Sequence, residues 1–204
     1  MKAISLLKSC LKILLLIKMQ VAAIGLFNVA SAQHPYGAFE SIEVGLTGSF
    51  NVNKNMFHDY YDPEFGGGVR FSTPFYFGRV EGLFNYWYYY GVYDSNTPNF
   101  SNIFTALGWG KRVEPVDNLT LFAGGLLGNS YLSFDKHSFF ESGESEITAG
   151  YYGRVEYAVT SNWKVGASTK RIRMFTFHRI DLTYFSFGIS RKLESPQWVK
   201  NFFR

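Results

Sequence analysis

The stretch LTYFSFGISR, residues 182–191, alternates large apolar and small or polar side chains from one residue to the next. One face carries Thr183, Phe185, Phe187 and Ile189, and the other carries Tyr184, Ser186, Gly188 and Ser190. Successive side chains of a β-strand point to opposite faces, so this pattern predicts a strand with one apolar face. The stretch lies near the C-terminus, where the last strand of a closed barrel pairs with the first. We therefore predict that it closes a β-barrel.

The first 32 residues differ in composition from the rest of the chain. They contain Lys2, Lys8, Lys12 and Lys18 but no acidic residue, and a short apolar run leads to the small residues 30–32, ASA. This order is typical of a secretory signal peptide. The alternative, an N-terminal membrane anchor, needs an apolar segment of ~20 residues, which is longer than this run. We predict a signal peptide over residues 1–32.

The charge balance excludes one class of partner. The chain has 20 Lys and Arg and 16 Asp and Glu, and the excess of four consists of the lysines in the predicted signal. The predicted mature chain is formally neutral and lacks the basic surface of a nucleic-acid-binding protein. The single cysteine, Cys10, lies in the signal, and the four histidines show no metal-ligand spacing. We expect no nucleic acid, metal or cofactor.

Eight segments of the mature chain alternate in the same way as the closing stretch. They are residues 41–52, 64–72, 76–90, 103–113, 119–134, 146–159, a segment starting at 163, and 182–191. Short turns near Thr73, Pro115 and Ser161 alternate with longer connections, which is the asymmetry of outer-membrane barrels. The fold class predicted is all-β: an eight-stranded antiparallel up-and-down transmembrane β-barrel over residues 33–193. The tail, residues 194–204, is predicted to lie in the periplasm.

The faces of these strands decide between a membrane barrel and a soluble, lipocalin-like barrel. One face collects Val, Leu, Ile and aromatic side chains; the other collects Glu43, Arg70, Arg79, Glu81, Arg154, Glu156, Lys164 and Lys170. The interior of an eight-stranded barrel is too narrow for large rings from every strand. The charged face is therefore predicted to line the lumen and the apolar face to contact lipid. Aromatic residues near both strand ends, 75–76 and Trp163 on one side and 87–90 on the other, predict two interfacial belts.

Isolated charges inside a barrel are costly, so the eight lumen residues should form a paired network. We predict that this network plugs the lumen, with Arg70 as the simplest partner of Glu43. A gated narrow path through the barrel is the alternative.

The connection after the seventh strand is basic. Arg171, Arg173 and Arg179 are predicted to contact lipid phosphates of the outer leaflet, because the guanidinium group pairs with phosphate in a bidentate manner. Two alternatives stay open: a latch to the acidic connection before the sixth strand, and a solvated face without a role.

Some eight-stranded barrels modify lipid A, so an enzyme is a second function class. The lipid A deacylases share a His-x-Ser pair near the C-terminal strands, and the nearest match here, residues 178–180, lacks the serine. The pair His137-Ser138 would point to opposite sides of a strand, whereas a nucleophile needs a base within hydrogen-bond reach. No catalytic residue is predicted.

Four stretches resemble the small outer-membrane β-barrel proteins of Bacteroidota and related bacteria. They are TALGWGKRVEP (105–115), LTLFAGGLLG (119–128), GRVEYAVTSNWKVGAS (153–168) and YFSFGISRKL (184–193). The resemblance implies an eight-stranded barrel like the OmpA membrane domain and no shared catalytic residues. The chain departs from barrels that end on an aromatic in the last strand, because ESPQWVKNFFR (194–204) follows; Trp198, Val199, Phe202 and Phe203 are predicted to form a short amphipathic turn.

The function expected is a structural or surface-interaction role in the outer membrane, without catalysis. The partners expected are outer-membrane lipid and lipopolysaccharide, together with the barrel-assembly machinery during insertion. We expect a monomer.

Overall fold

The computed structural model describes residues 38–93, 97–135, 143–176 and 179–202. The predicted signal peptide lies outside these ranges and stays a prediction. The strands are β1 (Ser41–Asn51), β2 (Tyr61–Pro63), β3 (Gly66–Phe75), β4 (Gly78–Gly91), β5 (Phe100–Val116), β6 (Leu119–Phe134), β7 (Glu144–Ala158), β8 (Trp163–Met174) and β9 (Ile180–Glu194). A 3₁₀ turn (Met56–Asp59) precedes β2, and one helix, α1 (Gln197–Phe202), follows β9.

Eight of these strands form a closed antiparallel barrel in the order β1-β3-β4-β5-β6-β7-β8-β9. Closure is made by β1 and β9, whose register runs from Ser41 opposite Glu194 to Asn51 opposite Tyr184. The predicted role of residues 182–191 as the closing strand is confirmed, and so is the predicted fold class. We call the end with the three short turns the turn end, and the opposite end the loop end.

The turn predicted at residues 73–74 is placed wrongly, and the turn predicted over residues 114–118 is shorter than expected. Pro74 and Pro115 both lie inside strands, and the chain reverses further on, at residues 76–77 and 117–118. Pro115 falls in a register irregularity of the β5–β6 ladder, where a residue without an N–H is tolerated. The second turn closes at Asn118, whose φ of 65° is a left-handed conformation that asparagine adopts more readily than most residues.

The outer surface of the barrel is apolar. Leu107 is 70% exposed, Leu127 63%, Ile147 63% and Phe187 58%. A soluble barrel would bury such side chains, so the lipocalin-like alternative is wrong. Exposed rings lie at the turn end (Tyr76, Phe77, Trp109, Tyr157, Trp163) and at the loop end (Tyr86, Tyr90, Tyr131), as interfacial belts do.

The belt prediction is wrong for two residues near the loop end. Trp87 and Tyr89 are fully buried inside the barrel, whereas Tyr86 and Tyr90 face outward. The reason is the pleat: residues 87 and 89 share the phase of Glu81 and therefore point into the lumen.

The tail after β9 contains α1, and its Trp198 is 73% exposed. Phe203 lies outside the described residues, and the predicted periplasmic position of the tail stays a prediction. Neither helical segment in the described ranges has the length and hydrophobicity to cross a membrane.

Candidate functional site: the barrel lumen

The lumen is divided along its axis into two chemically different regions. The region toward the turn end, which we call the charged layer, contains Glu43, Arg70, Arg79, Glu81, Arg112, Arg154, Glu156 and Lys164. The region toward the loop end, which we call the aromatic layer, contains Trp87, Tyr89, Phe100, Phe104, Ile172, Met174, Leu182 and Tyr184. Lys170 lies where the two layers meet.

Glu81 is the centre of the charged layer. It is 0% exposed, and Arg154 donates two hydrogen bonds to it, at 2.7 Å to Oε1 and 3.1 Å to Oε2. The hydroxyl of Tyr152 donates a third at 2.7 Å, and Arg70 Nη1 lies 3.7 Å away. Arg154 and Tyr152 are in β7, across the lumen from β4. The interaction therefore ties opposite walls of the barrel together.

Glu156 is the second acceptor of this layer and shares both arginines with Glu81. Arg70 Nη2 donates to Glu156 Oε1 at 2.6 Å, and Arg154 Nε lies 2.9 Å from the same oxygen. The two carboxylates and two guanidinium groups thus form one alternating cluster of charges.

Glu43 forms a separate cluster nearer the turn end, with Lys164 and with Arg79, whose Nη2 lies 2.9 Å from Oε2. The predicted pairing of Glu43 with Arg70 is wrong. In the β1–β3 register Glu43 lies opposite Ser72, and Arg70 lies one inward position higher, where its guanidinium reaches Glu156 instead. Arg79 also donates a hydrogen bond from Nε to Ser72 Oγ at 2.9 Å.

Arg112 is a lumen residue that the sequence reading missed. It lies 4.0 Å from Glu43 and pairs with Glu114 at the rim. The alternation of the sequence identifies Arg112 as inward-facing, since it continues the inward phase of Gly108 and Gly110 in β5.

The aromatic layer was also missed. Trp87 stacks on Tyr184 with ring centroids 4.3 Å apart, and Tyr89 stacks on Phe100 at 4.6 Å. Trp87 Nε1 donates to Ser49 Oγ at 2.9 Å, and the hydroxyls of Tyr89 and Tyr184 are hydrogen-bonded to each other. The buried polar tips of these rings therefore have partners. Within the described residues, the loop-end part of the lumen is therefore a cluster of packed rings and aliphatic side chains.

Lys170 is held by aromatic faces and an amide. Its Nζ donates to Asn85 Oδ1 at 3.1 Å and lies 4.7 Å from the Trp87 ring centroid and 5.0 Å from that of Phe104. Such cation–π contacts stabilise a desolvated ammonium group. Within the described residues, no carboxylate lies within 4.0 Å of this nitrogen, unlike the cations of the charged layer.

The first loop covers the loop end of the lumen. Phe57, in the 3₁₀ turn, stacks on Tyr61 at 5.2 Å and meets the edge of Tyr89 at 5.6 Å. Tyr61 in turn meets Phe100 at 4.9 Å. We call this turn together with β2 the loop cap. It extends the aromatic layer over the barrel opening, and it was not predicted from the sequence.

The three arginines predicted to contact lipid point away from the lumen near the loop end and are exposed. Arg173 makes a bidentate ion pair with Asp181, with both N–O distances 2.8 Å, and Arg171 Nη2 lies 3.6 Å from the same carboxylate. In the described part of the chain, neither pairs with Asp135, Glu144 or Glu146, which are the described acids of the alternative latch. We call Arg171, Arg173 and Arg179 the cationic group; the first two pair with Asp181, and Arg179 is exposed two residues before it.

The described residues contain no group of three or more side chains suited to hold a metal ion. His137 and Ser138, weighed above as a catalytic pair, lie outside the described residues, and so does His178. Chemically, the lumen is therefore a set of buried ion pairs and stacked rings.

Solved structures with the same fold are outer-membrane barrels. The N-terminal β-barrel domain of Pseudomonas aeruginosa OprF aligns with a TM-score of 0.51 and 15% identity, covering 76% of this chain and 99% of that one. Outer membrane protein H (OprH) of P. aeruginosa aligns with a TM-score of 0.50 and 18% identity, over 75% and 99% of the two chains. Ail, the attachment invasion locus protein of Yersinia pestis, aligns with a TM-score of 0.50 and 14% identity, over 75% and 97%.

No protein-family model matches the chain, and no curated protein matches it in sequence. The structural likeness shows the fold, which is that of the small eight-stranded outer-membrane β-barrels. This fold and the apolar, ring-bordered outer surface place the chain in the bacterial outer membrane.

Proposed function

We propose that this barrel is a non-catalytic outer-membrane protein with a closed lumen, whose structural or surface-interaction role is carried by its outer wall and loop end. The observation that carries the proposal is that side chains of the described residues occupy both layers of the lumen and its loop end. The charged layer joins opposite walls, the aromatic layer packs above it, and Phe57 covers the opening. Such a barrel contacts lipid and the cell exterior through its surface and provides no path for solutes through its lumen.

Conductance of the folded protein in planar lipid bilayers tests the closed lumen. We expect no discrete current steps from the wild-type barrel. The variant Phe57→Ala is expected to remain closed as well, because the aromatic layer beneath the loop cap also fills the lumen. Regular single-channel steps from the wild-type protein would contradict the proposal and favour the gated path.

We further propose that the cationic group at the loop end binds phosphate groups of lipopolysaccharide. Its three guanidinium groups lie on the outer wall near the loop end, beside the interfacial rings, and bidentate geometry suits phosphate oxygens. Asp181 orients Arg173 and Arg171 and, as a single carboxylate, does not neutralise the three cations of the group.

Lipopolysaccharide binding by the purified barrel tests this contact. The triple variant Arg171→Gln, Arg173→Gln, Arg179→Gln is expected to bind at least about tenfold more weakly, which corresponds to the loss of about one charge-assisted hydrogen bond. The matched control is Arg191→Gln with Lys192→Gln, which removes exposed positive charge at the turn end and should leave affinity unchanged. Equal affinity of the triple variant and the wild type would refute the contact.

The remaining partners are proposed on the same basis. A closed transmembrane barrel needs the barrel-assembly machinery for insertion, and its filled lumen needs no second copy to complete it, so we propose a monomer. The four stretches quoted above support a Bacteroidota-type member of the small outer-membrane barrels.

A further inference from the structure

The lumen holds more positive than negative charge. Five deeply buried cations, Arg70, Arg79, Arg154, Lys164 and Lys170, face three buried carboxylates, Glu43, Glu81 and Glu156. Arg112 does not change this balance, because it pairs with Glu114 at the rim. Counted over the described residues, the interior carries two cations in excess. A buried charge without a counter-charge costs several kcal/mol, so this excess calls for a counter-ion.

The excess is concentrated at the junction of the two layers. Lys170 has aromatic faces and the Asn85 amide around it, but no carboxylate within ion-pair distance in the described part of the barrel. Arg70 lies below it, and two of its nitrogens, Nε and Nη1, are buried without a hydrogen-bond partner. Nη1 is 3.7 Å from Glu81, which is beyond hydrogen-bond distance.

A cavity of about 50 Å³ lies between these two cations. Arg70, Lys170, Asn85 and Tyr152 contribute to its lining, together with the serines at 168, 186 and 190. The donors share this lining with apolar atoms from several residues and with the Glu156 carboxylate, which already pairs with Arg70 and Arg154. A water needs on the order of 10–15 Å³ measured in this way, so the cavity has room for a small ion with one or two waters, but not for a sugar or a lipid chain.

Gly45 makes room for the Arg70 guanidinium group. A Cβ at this position would lie 3.3 Å from Arg70 Nε, 3.3 Å from Nη2 and 3.3 Å from the side chain of Ser190. The absence of a side chain there lets the guanidinium group lie close to β1.

We propose that the lumen binds a small monovalent anion, of the size of chloride, between Arg70 and Lys170. The anion accepts from an unpartnered nitrogen of Arg70, from the ammonium group of Lys170 and from serine hydroxyls. It supplies one of the two counter-charges that the three carboxylates do not, at the junction where the excess is concentrated. The anion is thus a structural part of the closed lumen, and this inference goes beyond the surface role proposed above.

Thermal unfolding of the folded barrel in detergent tests the site. The midpoint is measured as sodium gluconate is replaced by sodium chloride or bromide at constant ionic strength. For a ligand that binds only the folded state, the wild-type midpoint should rise saturably with chloride or bromide. Gluconate is too large for the cavity and should have no such effect. A midpoint that does not depend on the anion would overturn the proposal, and would mean that Lys170 is held uncharged.

Two variants locate the effect. Lys170→Met removes the inward cation and should abolish the halide-dependent shift, whereas Lys192→Met removes an exposed lysine at the turn end and should keep it in full. A Lys170→Met barrel that retains the whole shift would refute the site.

Crystals of the wild-type barrel grown in bromide provide a measurement that does not depend on the folding of a variant. We expect an anomalous peak in contact with Lys170 Nζ and Arg70. Bromide peaks confined to the outer surface would also refute the site.

Discussion

The charged layer holds its side chains by ion pairs between opposite walls, whereas the aromatic layer holds its side chains by ring stacking and close packing. Removing one carboxylate from the charged layer leaves two guanidinium groups without that counter-charge in a water-poor interior. Removing one polar atom from the aromatic layer leaves the stacking of the rings intact. A substitution in the charged layer should therefore lower the free energy of unfolding by more than a substitution in the aromatic layer, although the residues involved are equally buried.

The largest effect is expected from Glu81→Ala. This change leaves Arg154 and Arg70 with only Glu156 as a shared counter-charge and removes the acceptor of Tyr152. Breaking a buried ion pair by removing one partner costs about 3–5 kcal/mol. We expect a loss of this size in the free energy of unfolding, measured by urea titration in lipid vesicles.

The matched control is Glu114→Ala, which breaks the half-exposed pair with Arg112 at the rim. Exposed pairs contribute about 0–1 kcal/mol, so the unfolding midpoint should barely move. Similar losses for Glu81→Ala and Glu114→Ala would contradict the description of the charged layer as a buried network.

A smaller effect is expected in the aromatic layer from Tyr184→Phe. This change keeps the stacking on Trp87 but removes the hydroxyl that is paired with Tyr89. Leaving a buried hydroxyl with one partner fewer costs about 1–3 kcal/mol. The double variant Tyr89→Phe, Tyr184→Phe should lose less than the sum of the two single changes, because it leaves no unpaired partner behind.

The same urea titration measures this coupling, and Tyr131→Phe on the outer wall is the control. Additive losses for the two tyrosines would show that their hydroxyls do not interact in the folded barrel.

The smallest effect concerns the loop cap and depends on pH. His58 Nδ1 accepts from the backbone N–H of Asn55 at 3.1 Å, and its Nε2 lies 2.9 Å from Asn51 Oδ1. Burial lowers the pKa of His58 from its ordinary value of 6.5, against the opposing influence of Asp62 and Asp59. The open loop therefore binds a proton more readily than the closed cap. The cap has its full stability above pH ~6.5 and loses stability as the pH falls through the lowered folded-state pKa.

Hydrogen exchange of residues 56–63, corrected for intrinsic rates, measures this change. We expect protection of this segment to fall between pH ~7.5 and ~5.5 while protection of the barrel strands stays constant. The variant His58→Gln should show little pH dependence in the same window. Equal pH dependence in both proteins would show that His58 does not control the cap.

Alternation along the chain determined which way most side chains point. The inward phase of Glu43 in β1 and of Arg154 in β7, and the outward phase of Phe187 in β9, follow from a period of two, because the pleat allows no other arrangement once one face is apolar. Barrel closure by the last strand followed from the same pattern. The local sequence also set the tight turn at Asn118, although the prolines nearby misled the prediction of strand ends.

Only the tertiary structure decided which inward residues meet. Glu81 and Arg154 are 73 positions apart, and Arg70 and Glu156 are 86 apart. Their contact depends on strand register and on the width of the lumen, which no local pattern encodes. The same holds for the rings of Trp87 and Tyr184, which belong to strands on opposite walls. A sequence with period two specifies what faces inward, whereas pairing, stacking and the anion-sized cavity arise only when the closed barrel brings its walls within reach of each other.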